Sequence, residues 1–531
     1  MTHPSHSVGA RHARILLLSL LVGAAPLAAC GDDAPATPVD AGGGEVDGGP
    51  RDAGPPLPPA TGIFPAHDRT LPFVYTRPDV GAPVSAAERA AITDQYLALM
   101  ARIGWLDFME ERVHGWPESE GRYFYATWWS GAGVRKSGGA ISYVHVAEGA
   151  ENNGLRTPQI MEGVCYAYRL YGNAQDQHLV RRLVRGLSSW SMAMDRTAGE
   201  TERGLLMRAA YPPSVIDTAR GISIVYDAAR PGPDSGSSQY VHLPASPHWG
   251  DLWIKSIRSK DDMGHIMRGL GALDACDGTF TEPGAQDDLV DARRRYQEWA
   301  RRVVRDRYQI ATYSPTLEVV VPPGSLATYF VRAGIECGAG YAIPLMATGS
   351  TGGYTCDNAG LGPVPDPSSG LSNSNLQILR SHHEGAVALA LAQGQGPVAE
   401  SLVPGLAARI EGILDAYETG TIPDNAHPSD VFQLIVESAL LGVPLTSREV
   451  RWLHGQIAEA QAGYDTTRPE WNLRAASTTD GDYLLDPSGP GIDVKDLGLL
   501  LGLCVAPYLN PASREVLDCD RIRAFGRPAR P

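Results

Sequence analysis

The amino-acid sequence predicts a mainly α-helical domain with the architecture of an α/α toroid, in which an inner ring of helices is enclosed by an outer ring. Three observations predict it. The long periodic segments have the spacing of helices rather than of strands. These helices are of two kinds that alternate along the chain, and long polar connections lead into one of the two kinds.

Helices of the first kind are charged and amphipathic. Their apolar residues recur at helical spacing with charged residues between them, so that one face packs on the protein and the other meets solvent. One of them also has acids in its first turn and bases towards its end, which suits the helix dipole. The segments of this kind are 176–194, 287–308, 397–417 and 447–462.

Helices of the second kind are nearly uncharged and rich in small residues. A helix that is apolar on all sides is buried on all sides. Each is followed within a few residues by a charged helix, and this repetition predicts the two rings; an irregular helical assembly is the alternative. Two strand-like segments, 221–226 and 317–322, predict a few decorating β-hairpins. The apolar helices are 160–171, 263–276, 384–393, 430–442 and 494–507.

Residues 1–30 have the pattern of a bacterial lipoprotein signal. A basic start precedes an apolar run over 15–27, which is too short to span a membrane comfortably. The sequence Leu27-Ala28-Ala29-Cys30 then resembles the lipobox, whose cysteine is acylated after cleavage. We therefore expect residues 1–29 to be a signal peptide and Cys30 to carry lipid. A plain secretory site beside a chance cysteine is the alternative.

Residues 30–60 consist almost entirely of Gly, Asp, Ala and Pro. Such a segment has too little apolar surface to offset the entropy of ordering. We expect it to tether one domain, residues 61–531, to a bacterial membrane, facing the periplasm or the cell exterior. No later segment has enough consecutive apolar residues for a transmembrane helix, so the lipid is the expected membrane contact.

The balance of charge restricts the partners. The chain has 45 Lys and Arg against 60 Asp and Glu, which gives a net charge of −15. A net acidic surface argues against nucleic acid as a partner and against binding to an anionic membrane through charge. It also mildly disfavours a polyanionic substrate.

The cysteines predict disulfides. Seven cysteines leave six once Cys30 is assigned to lipid, and an even number in an oxidising compartment predicts three bridges. The sequence does not choose among the pairings, and no pair has the CxxC spacing of a zinc or redox site. Closeness along the chain favours Cys337 with Cys356, Cys504 with Cys519, and therefore Cys165 with Cys276.

The segment 259–265 (SKDDMGH) leads into a glycine-rich helix of the second kind. Together with the paired-helix plan, it resembles the inner-helix openings of α/α-toroid carbohydrate-active enzymes, a group that includes glycoside hydrolases and polysaccharide lyases. The resemblance is to this group and to no single family. It implies a polysaccharide substrate that is cleaved at the mouth of the toroid.

Five long connections carry most of the unusual polar and aromatic residues. If the inner helices all run in one direction, these connections open at one mouth and build a cleft there. They cover residues 147–157, 240–262, 372–383, 421–430 and 471–493.

Three candidate catalytic residues begin one inner helix: Asp261, Asp262 and His265. Asp261 precedes His265 by one turn on the same face, where its carboxylate can orient the imidazole for proton transfer. Ser259 and Asp262 also fit a capping box, which explains the acids without a function. A histidine satisfied within the core is the competing explanation of His265.

Two other inner helices supply further candidates. His383 and Glu384 begin one of them, and Glu384 is either a partner of the helix dipole or a catalytic carboxylate. His427 lies in the connection before the other helix and is a catalytic candidate as well. Asn425, two residues earlier, is expected to contact substrate.

The remaining candidates are polar or aromatic residues that would hold the substrate. Aromatic rings stack on sugar faces, although they also fill cores. An arginine supplies positive charge, and Asp482 has the alternative role of making a turn around Gly481. The expected substrate contacts are Arg156, Tyr240, Trp249, Asn425 and Asp482.

We therefore expect a surface-attached glycoside hydrolase. Hydrolysis of a glycosidic bond uses two carboxyl groups, roughly 5–5.5 Å apart in retaining enzymes and roughly 6.5–9.5 Å apart in inverting enzymes. The candidates for this pair are Asp261 or Asp262, Glu384, Asp430 and Asp482.

Two alternatives remain open. A polysaccharide lyase would use His265, His383 or Tyr240 to abstract the proton next to a uronate carboxyl, and Arg156 or Asn425 to neutralise that carboxyl. A non-catalytic lipoprotein would bind a glycan or a protein through the same mouth. We expect no metal and no cofactor, because the sequence has no recognised zinc-protease, Walker or dinucleotide motif where one would be needed.

Overall fold

The chain divides into two units, Met1–Asp52 and Ala53–Pro531. The residues that the computed structural model describes all belong to the second unit. The signal peptide, the lipidated Cys30 and the tether lie outside them and stay predictions. The described residues are 67–115, 125–127, 132–138, 140–144, 153–196, 204–211, 214–217, 222–225, 240–248, 250–255, 260–276, 280–306, 310–314, 316–320, 337–349, 373–421, 428–466, 480–485 and 491–528.

This part of the chain is mainly helical, which confirms the predicted class. Two short 3-10 turns, Val494–Gly498 and Pro511–Glu515, accompany the α-helices. The α-helices are α1 (Ala86–Ile103), α2 (Trp105–Arg112), α3 (Asn153–Tyr171), α4 (Ala174–Met192), α5 (Lys260–Cys276), α6 (Ala285–Arg305), α7 (Cys337–Thr348), α8 (Asn373–Ala392), α9 (Gly396–Glu418), α10 (Pro428–Leu440), α11 (Ser447–Gly463), α12 (Leu499–Val505) and α13 (Cys519–Phe525).

Every helix predicted from periodicity is present, but several begin earlier than predicted. Helix α3 begins at Asn153 instead of residue 160, and α8 begins at Asn373 instead of residue 384. The early part of α3 is mostly polar, and that of α8 has only Leu376, Ile378 and Leu379 among polar residues, too few to establish the apolar spacing on which the prediction rests. The segment predicted over 494–507 begins as a 3-10 turn before it becomes α12.

The strands form larger sheets than the predicted hairpins. A five-stranded sheet consists, in spatial order, of the strands Gly481–Leu485, Ala132–Ser137, Ala140–Val144, Ile222–Val225 and Ser214–Asp217, a three-stranded sheet consists of Ala209–Tyr211, Gly250–Lys255 and Tyr240–Ser246, and two two-stranded sheets are separate. The five-stranded sheet pairs Gly481–Leu485 with Ala132–Ser137, which are far apart in the sequence, so no local pattern indicates it. The strands are β1 (Val113–Gly115), β2 (Tyr125–Thr127), β3 (Ala132–Ser137), β4 (Ala140–Val144), β5 (Ala209–Tyr211), β6 (Ser214–Asp217), β7 (Ile222–Val225), β8 (Tyr240–Ser246), β9 (Gly250–Lys255), β10 (Thr312–Tyr313), β11 (Val319–Val320) and β12 (Gly481–Leu485).

The apolar helices contact one another in a cycle. Helix α5 contacts α3 and α8, α8 contacts α10, α10 contacts α12, and α12 returns to α3. The charged helices α4, α9 and α11 each contact the apolar helix that precedes them. Residues Ser429–Leu440 of α10 are buried without exception, as expected of a helix that is apolar on all sides.

Small residues set the spacing between α5 and α8. A Cβ atom added at Gly271 would collide with Ala388, and one added at Gly385 would lie 2.8 Å from the Cβ of Met267. Because these contacts involve backbone and Cβ atoms, no side-chain rotation relieves them. The glycines of α5 and α8 therefore allow the two helices to approach closely at this interface.

Replacing Gly271 by Ala should destabilise the protein by about 1–3 kcal/mol, although alanine is the better helix former. Gly455→Ala is the matched control, because a Cβ at Gly455 on α11 meets nothing within 4 Å. This second change should stabilise the protein by about 0.5–1 kcal/mol. Urea unfolding of both variants measures the two effects, and equal signs would contradict the packing described.

An extended segment before α1 holds the end of the bundle where α5 terminates. Asp274, fully buried near the end of α5, accepts hydrogen bonds from Arg69 Nε at 3.0 Å and from the Tyr508 hydroxyl at 2.5 Å. His67 lies 2.8 Å from the same hydroxyl. We call this the closed end of the bundle.

The disulfide between Cys504 and Cys519 confirms one of the predicted pairs. It ties α12 to α13. Cys165 is disulfide-bonded as well. The pairing predicted for Cys276, Cys337 and Cys356 falls outside the side chains that the structure describes.

Candidate functional site

A hydrogen-bonded chain of polar side chains crosses the helices α3, α5 and α10. The amide nitrogen of Gln159 lies 3.2 Å from Nδ1 of His265 and donates to Oε1 of Gln433 at 3.0 Å. The amide nitrogen of Gln433 then donates to Oδ2 of Asp496 at 2.6 Å. All four side chains are buried, so three helices and a 3-10 turn share one interior polar chain.

Asp496 is held from several sides. Besides Gln433, the hydroxyl of Ser429 donates to its Oδ2 at 2.5 Å, and the ammonium of Lys495 lies 3.6 Å from the same oxygen. Lys495 also contacts the carboxylate of Asp493 at 2.5 Å. The other carboxylate oxygen of Asp496, Oδ1, is buried without a hydrogen-bond partner.

Burial raises the pKa of Asp496 to about 6. Lys495 opposes this shift, the neighbouring Asp493 adds to it, and the hydrogen bonds from Ser429 and Gln433 oppose it. A carboxyl group with such a pKa keeps its proton up to about pH 6, where an ordinary aspartic acid is ionised, and can therefore act as a general acid there.

A second group of charged side chains lies one turn further along the same helices. Arg268 of α5 donates to Glu162 of α3, and its Nε lies 3.8 Å from a carboxylate oxygen of Glu437 on α10. The hydroxyl of Tyr166 donates to Glu162 at 2.9 Å. The buried guanidinium of Arg268 therefore forms ion pairs with two buried carboxyl groups, those of Glu162 and Glu437.

Burial raises the pKa of Glu162 to about 7. The guanidinium of Arg268 opposes this shift, whereas the like charge of Glu437 adds to it. The hydrogen bond from Tyr166 also opposes it. The interior of the protein thus contains two carboxyl groups, Glu162 and Asp496, that bind protons far more readily than they would in water.

The order of contacts fixes the direction of the helices. Gln159 and Glu162 on α3 meet His265 and Arg268 on α5 in the same order. On α10, the earlier residues Ser429 and Gln433 contact Asp496, and the later residue Glu437 contacts Arg268. Helices α3, α5 and α10 therefore run in parallel, with their N-terminal ends on the side of Asp496. We call this the open end of the bundle.

Two predicted residues of α8 have different surroundings. Glu384 is fully buried and interacts electrostatically with Arg268 and with Arg409 of α9. His383 instead faces α9, where its Nε2 donates to the carbonyl of Leu402 at 2.9 Å. Burial, together with Arg409, lowers the pKa of His383 to about 3, so this imidazole is neutral near pH 7.

The structure places three of the predicted site residues in the interior of the bundle, each with different neighbours. His265 belongs to the polar chain, Glu384 lies beside Arg268, and Asp430 is buried next to Ser429. Five other predicted residues lie in described helices or strands, but their side chains are not described. Three more lie outside the described ranges altogether. The first of these groups is Asp261, Asp262, Arg156, Tyr240 and Asp482, and the second is Trp249, Asn425 and His427.

Several residues of the interior were not predicted. Glu162, Arg268 and Glu437 are each a charged residue within an otherwise apolar helical run, and this is the signal that could have identified them. Gln159 and Gln433 are uncharged and give no comparable signal. Asp496 lies in the 3-10 turn before α12, where it resembles an ordinary first-turn acid.

Among the described residues, no three His, Cys, Asp or Glu side chains are placed to hold a metal ion together. The same part of the chain has no helix that is long and apolar enough to span a membrane.

Comparison with known proteins adds no assignment, because no family model, curated protein or solved structure matches the chain.

The two raised pKa values predict how stability depends on pH. Each carboxyl group binds its proton more tightly when folded, so its contribution is fully present below its unfolded pKa and is lost as pH rises through the folded value. For Glu162 this window extends from 4.5 to about 7. Replacing Glu162 by Gln removes the titration.

We therefore expect Glu162→Gln to gain stability relative to the wild type as pH rises across this window, by on the order of 3 kcal/mol. Urea unfolding of both proteins at several pH values measures the difference. Glu88→Gln is the control, because Glu88 is exposed and its pKa is lowered by the backbone of Ser85. A difference that does not change with pH would contradict a raised pKa of Glu162.

Proposed function

We propose that this chain is a lipid-anchored enzyme that hydrolyses a polysaccharide at the open end of an α/α toroid. The lipid at Cys30 and the tether would hold the domain at a bacterial membrane, facing the periplasm or the cell exterior. The proposal combines the sequence patterns with the interior chemistry of the described helices.

The toroid is supported by the cycle of contacts among α3, α5, α8, α10 and α12. Parallel directions of α3, α5 and α10 add to this support, because the inner helices of a toroid run the same way. The charged helices α4, α9 and α11 pack on the apolar helices that precede them, as the paired plan requires, whereas α6 packs mainly on α4 and α7. In such an arrangement the long connections that enter the inner helices gather at the open end.

The observation that carries the proposed chemistry is the buried carboxyl group of Asp496, whose pKa is raised to about 6 beside the chain from Gln433 to His265. Burying ionisable groups is costly, and apolar residues of the same size would often be as stable or more so. Strongly shifted pKa values cluster at sites of function. A carboxylic acid at the open end suits protonation of a glycosidic oxygen.

Asp496 is fully buried, so a glycosidic oxygen reaches it only when the side chains packed over it move. We therefore assign Asp496 the role of the acid, with Gln433, Ser429 and Lys495 as the groups that position it. The pairing predicted from the sequence, among Asp261 or Asp262, Glu384, Asp430 and Asp482, did not include Asp496 and stays an alternative to this assignment.

Incubation with a panel of neutral, amino-sugar and uronate polysaccharides tests this function. Hydrolysis should release reducing ends without an increase in ultraviolet absorbance. An increase in that absorbance would indicate the unsaturated products of a lyase. If no polymer is cleaved but one or more is bound, the protein is a binding lipoprotein and the proposed hydrolysis is wrong.

A further inference from the structure

A second pair of acid–base groups lies outside the interior chain. Nε2 of His248 donates to Oδ2 of Asp195 at 2.6 Å. The side chain of Asp195 is 4% exposed, whereas that of His248 is 23% exposed. The carboxylate of Asp195 is therefore buried, whereas the imidazole of His248 is in contact with solvent. Proton transfer to a molecule outside the protein requires this arrangement.

The pair lies at the level of the open end. Helices α3 and α4 are each 19 residues long and are joined by a short turn at Gly172, so they pack antiparallel. The C-terminal end of α4 is consequently level with the N-terminal end of α3. Asp195 follows α4 directly, with its amide bonded to the carbonyl of Met192 at 3.1 Å.

The hairpin that carries His248 is fixed to the same end of α4. His248 lies in the turn between β8 and β9, within the connection that leads from α4 to α5. The amide of Met207 donates to the carbonyl of Trp190 at 3.0 Å, and that of Arg208 donates to the carbonyl of Lys255 at 2.8 Å. These bonds attach the sheet to the last turn of α4, beside the entry to α5.

A second histidine on the same hairpin shows what an ordinary surface pair looks like. His242 contacts Asp251, but both side chains are exposed, by 41% and 60%. The imidazole of His242 also stacks on the ring of Trp253, with the ring centroids 4.5 Å apart. A carboxylate in water acts weakly on its neighbour because solvent screens it. Asp195 is shielded from that screening.

We infer that His248 is a proton-transfer group of the proposed glycan site, and that Asp195 is the residue that positions its imidazole. The inference rests on the proposed function. In hydrolysis, the imidazole takes a proton from the attacking water while the water oxygen bonds to the sugar carbon. The leaving glycosidic oxygen takes the proton of Asp496, and exchange with solvent then restores both groups.

Turnover of three variants tests the role. His248→Gln should lower kcat by about 100-fold or more and leave KM within a few-fold. Asp195→Asn keeps a hydrogen-bonding side chain but removes its charge, so kcat should fall and the pH profile should shift. His242→Gln is the matched control and should keep its turnover. A merely structural pair would change the melting temperature and leave kcat and the pH profile unchanged.

Chemical modification provides a test that does not depend on turnover. Diethyl pyrocarbonate acylates accessible neutral imidazoles, and peptide mapping reports each histidine separately. Oligosaccharides prepared from the panel polymers should protect His248 and leave His242 reactive.

The two failures are distinguishable. If the wild-type protein cleaves no polymer, the proposed function is wrong, and protection of His248 still supports its place in a glycan site. If the wild-type protein is active and His248→Gln keeps full turnover, the inference about His248 is wrong. It is also wrong if the oligosaccharides that bind the protein leave His248 as reactive as His242.

Discussion

Replacing Arg268 by Ala should destabilise the protein by about 3–5 kcal/mol, because it leaves buried carboxyl groups without their cation. Arg268 contacts Glu162 and Glu437 and interacts with Glu384, and all four side chains are buried. The loss should be smaller at acid pH, where Glu162 takes up a proton and its charge disappears. Urea unfolding at two pH values measures both effects.

Arg521→Ala is the matched control for this change. Arg521 makes a bidentate contact with Asp94, at 2.6 and 2.7 Å, but both side chains are about half exposed. Solvent screens such a pair, so its loss should have a far smaller effect. Combining Arg268→Met with Glu162→Gln should recover part of the stability. If Arg268→Ala were no more damaging than Arg521→Ala, the interior ion pairs would not have the role described.

Replacing Asp496 by Asn should lower kcat by about 100-fold or more, since an amide cannot supply the proton that the leaving oxygen needs. Stability should be kept or increased, because the change removes a buried charge. Wild-type activity should fall as pH rises through about 6, where Asp496 loses its proton. Reducing-end assays across pH measure both expectations.

Asp274→Asn is the control for Asp496→Asn. Asp274 is also fully buried, but it lies at the closed end of the bundle among Arg69, Tyr508 and His67. Its replacement should affect stability and leave kcat near the wild-type value. If both variants kept full turnover, Asp496 would not be the acid.

Most of the helices could be predicted from the sequence because their periodicity is a local property, but α1, α2, α7 and α13 were not among the predicted segments. The burial of a helix agrees with its apolar pattern: α10 is mostly apolar in sequence, and its residues Ser429–Leu440 are all buried. The starts of α3 and α8 could not be placed, because their first turns have too few apolar residues to establish a helical spacing. The five-stranded sheet could not be predicted either, because Gly481–Leu485 pairs with a strand hundreds of residues earlier in the chain.

The candidate site could be predicted only in part. His265 and Glu384 were identified because they lie in the first turn of the predicted apolar segments 263–276 and 384–393, and both are buried in the interior. The partners that determine their chemistry come from other helices, and no local pattern shows which side chains will meet. Gln159 and Gln433 link His265 to Asp496 through uncharged amides. Such residues acquire importance only from the packing of α3 against α5 and α10.

The measurement that tests the central claim most directly is cleavage of a polysaccharide in water enriched in oxygen-18, followed by mass spectrometry of the products. Hydrolysis at the open end should place one heavy oxygen at each new reducing end, because the water oxygen bonds to the anomeric carbon there, whereas the new non-reducing end keeps the original glycosidic oxygen. Unsaturated products without heavy oxygen, or intact polymer after prolonged incubation, would contradict it.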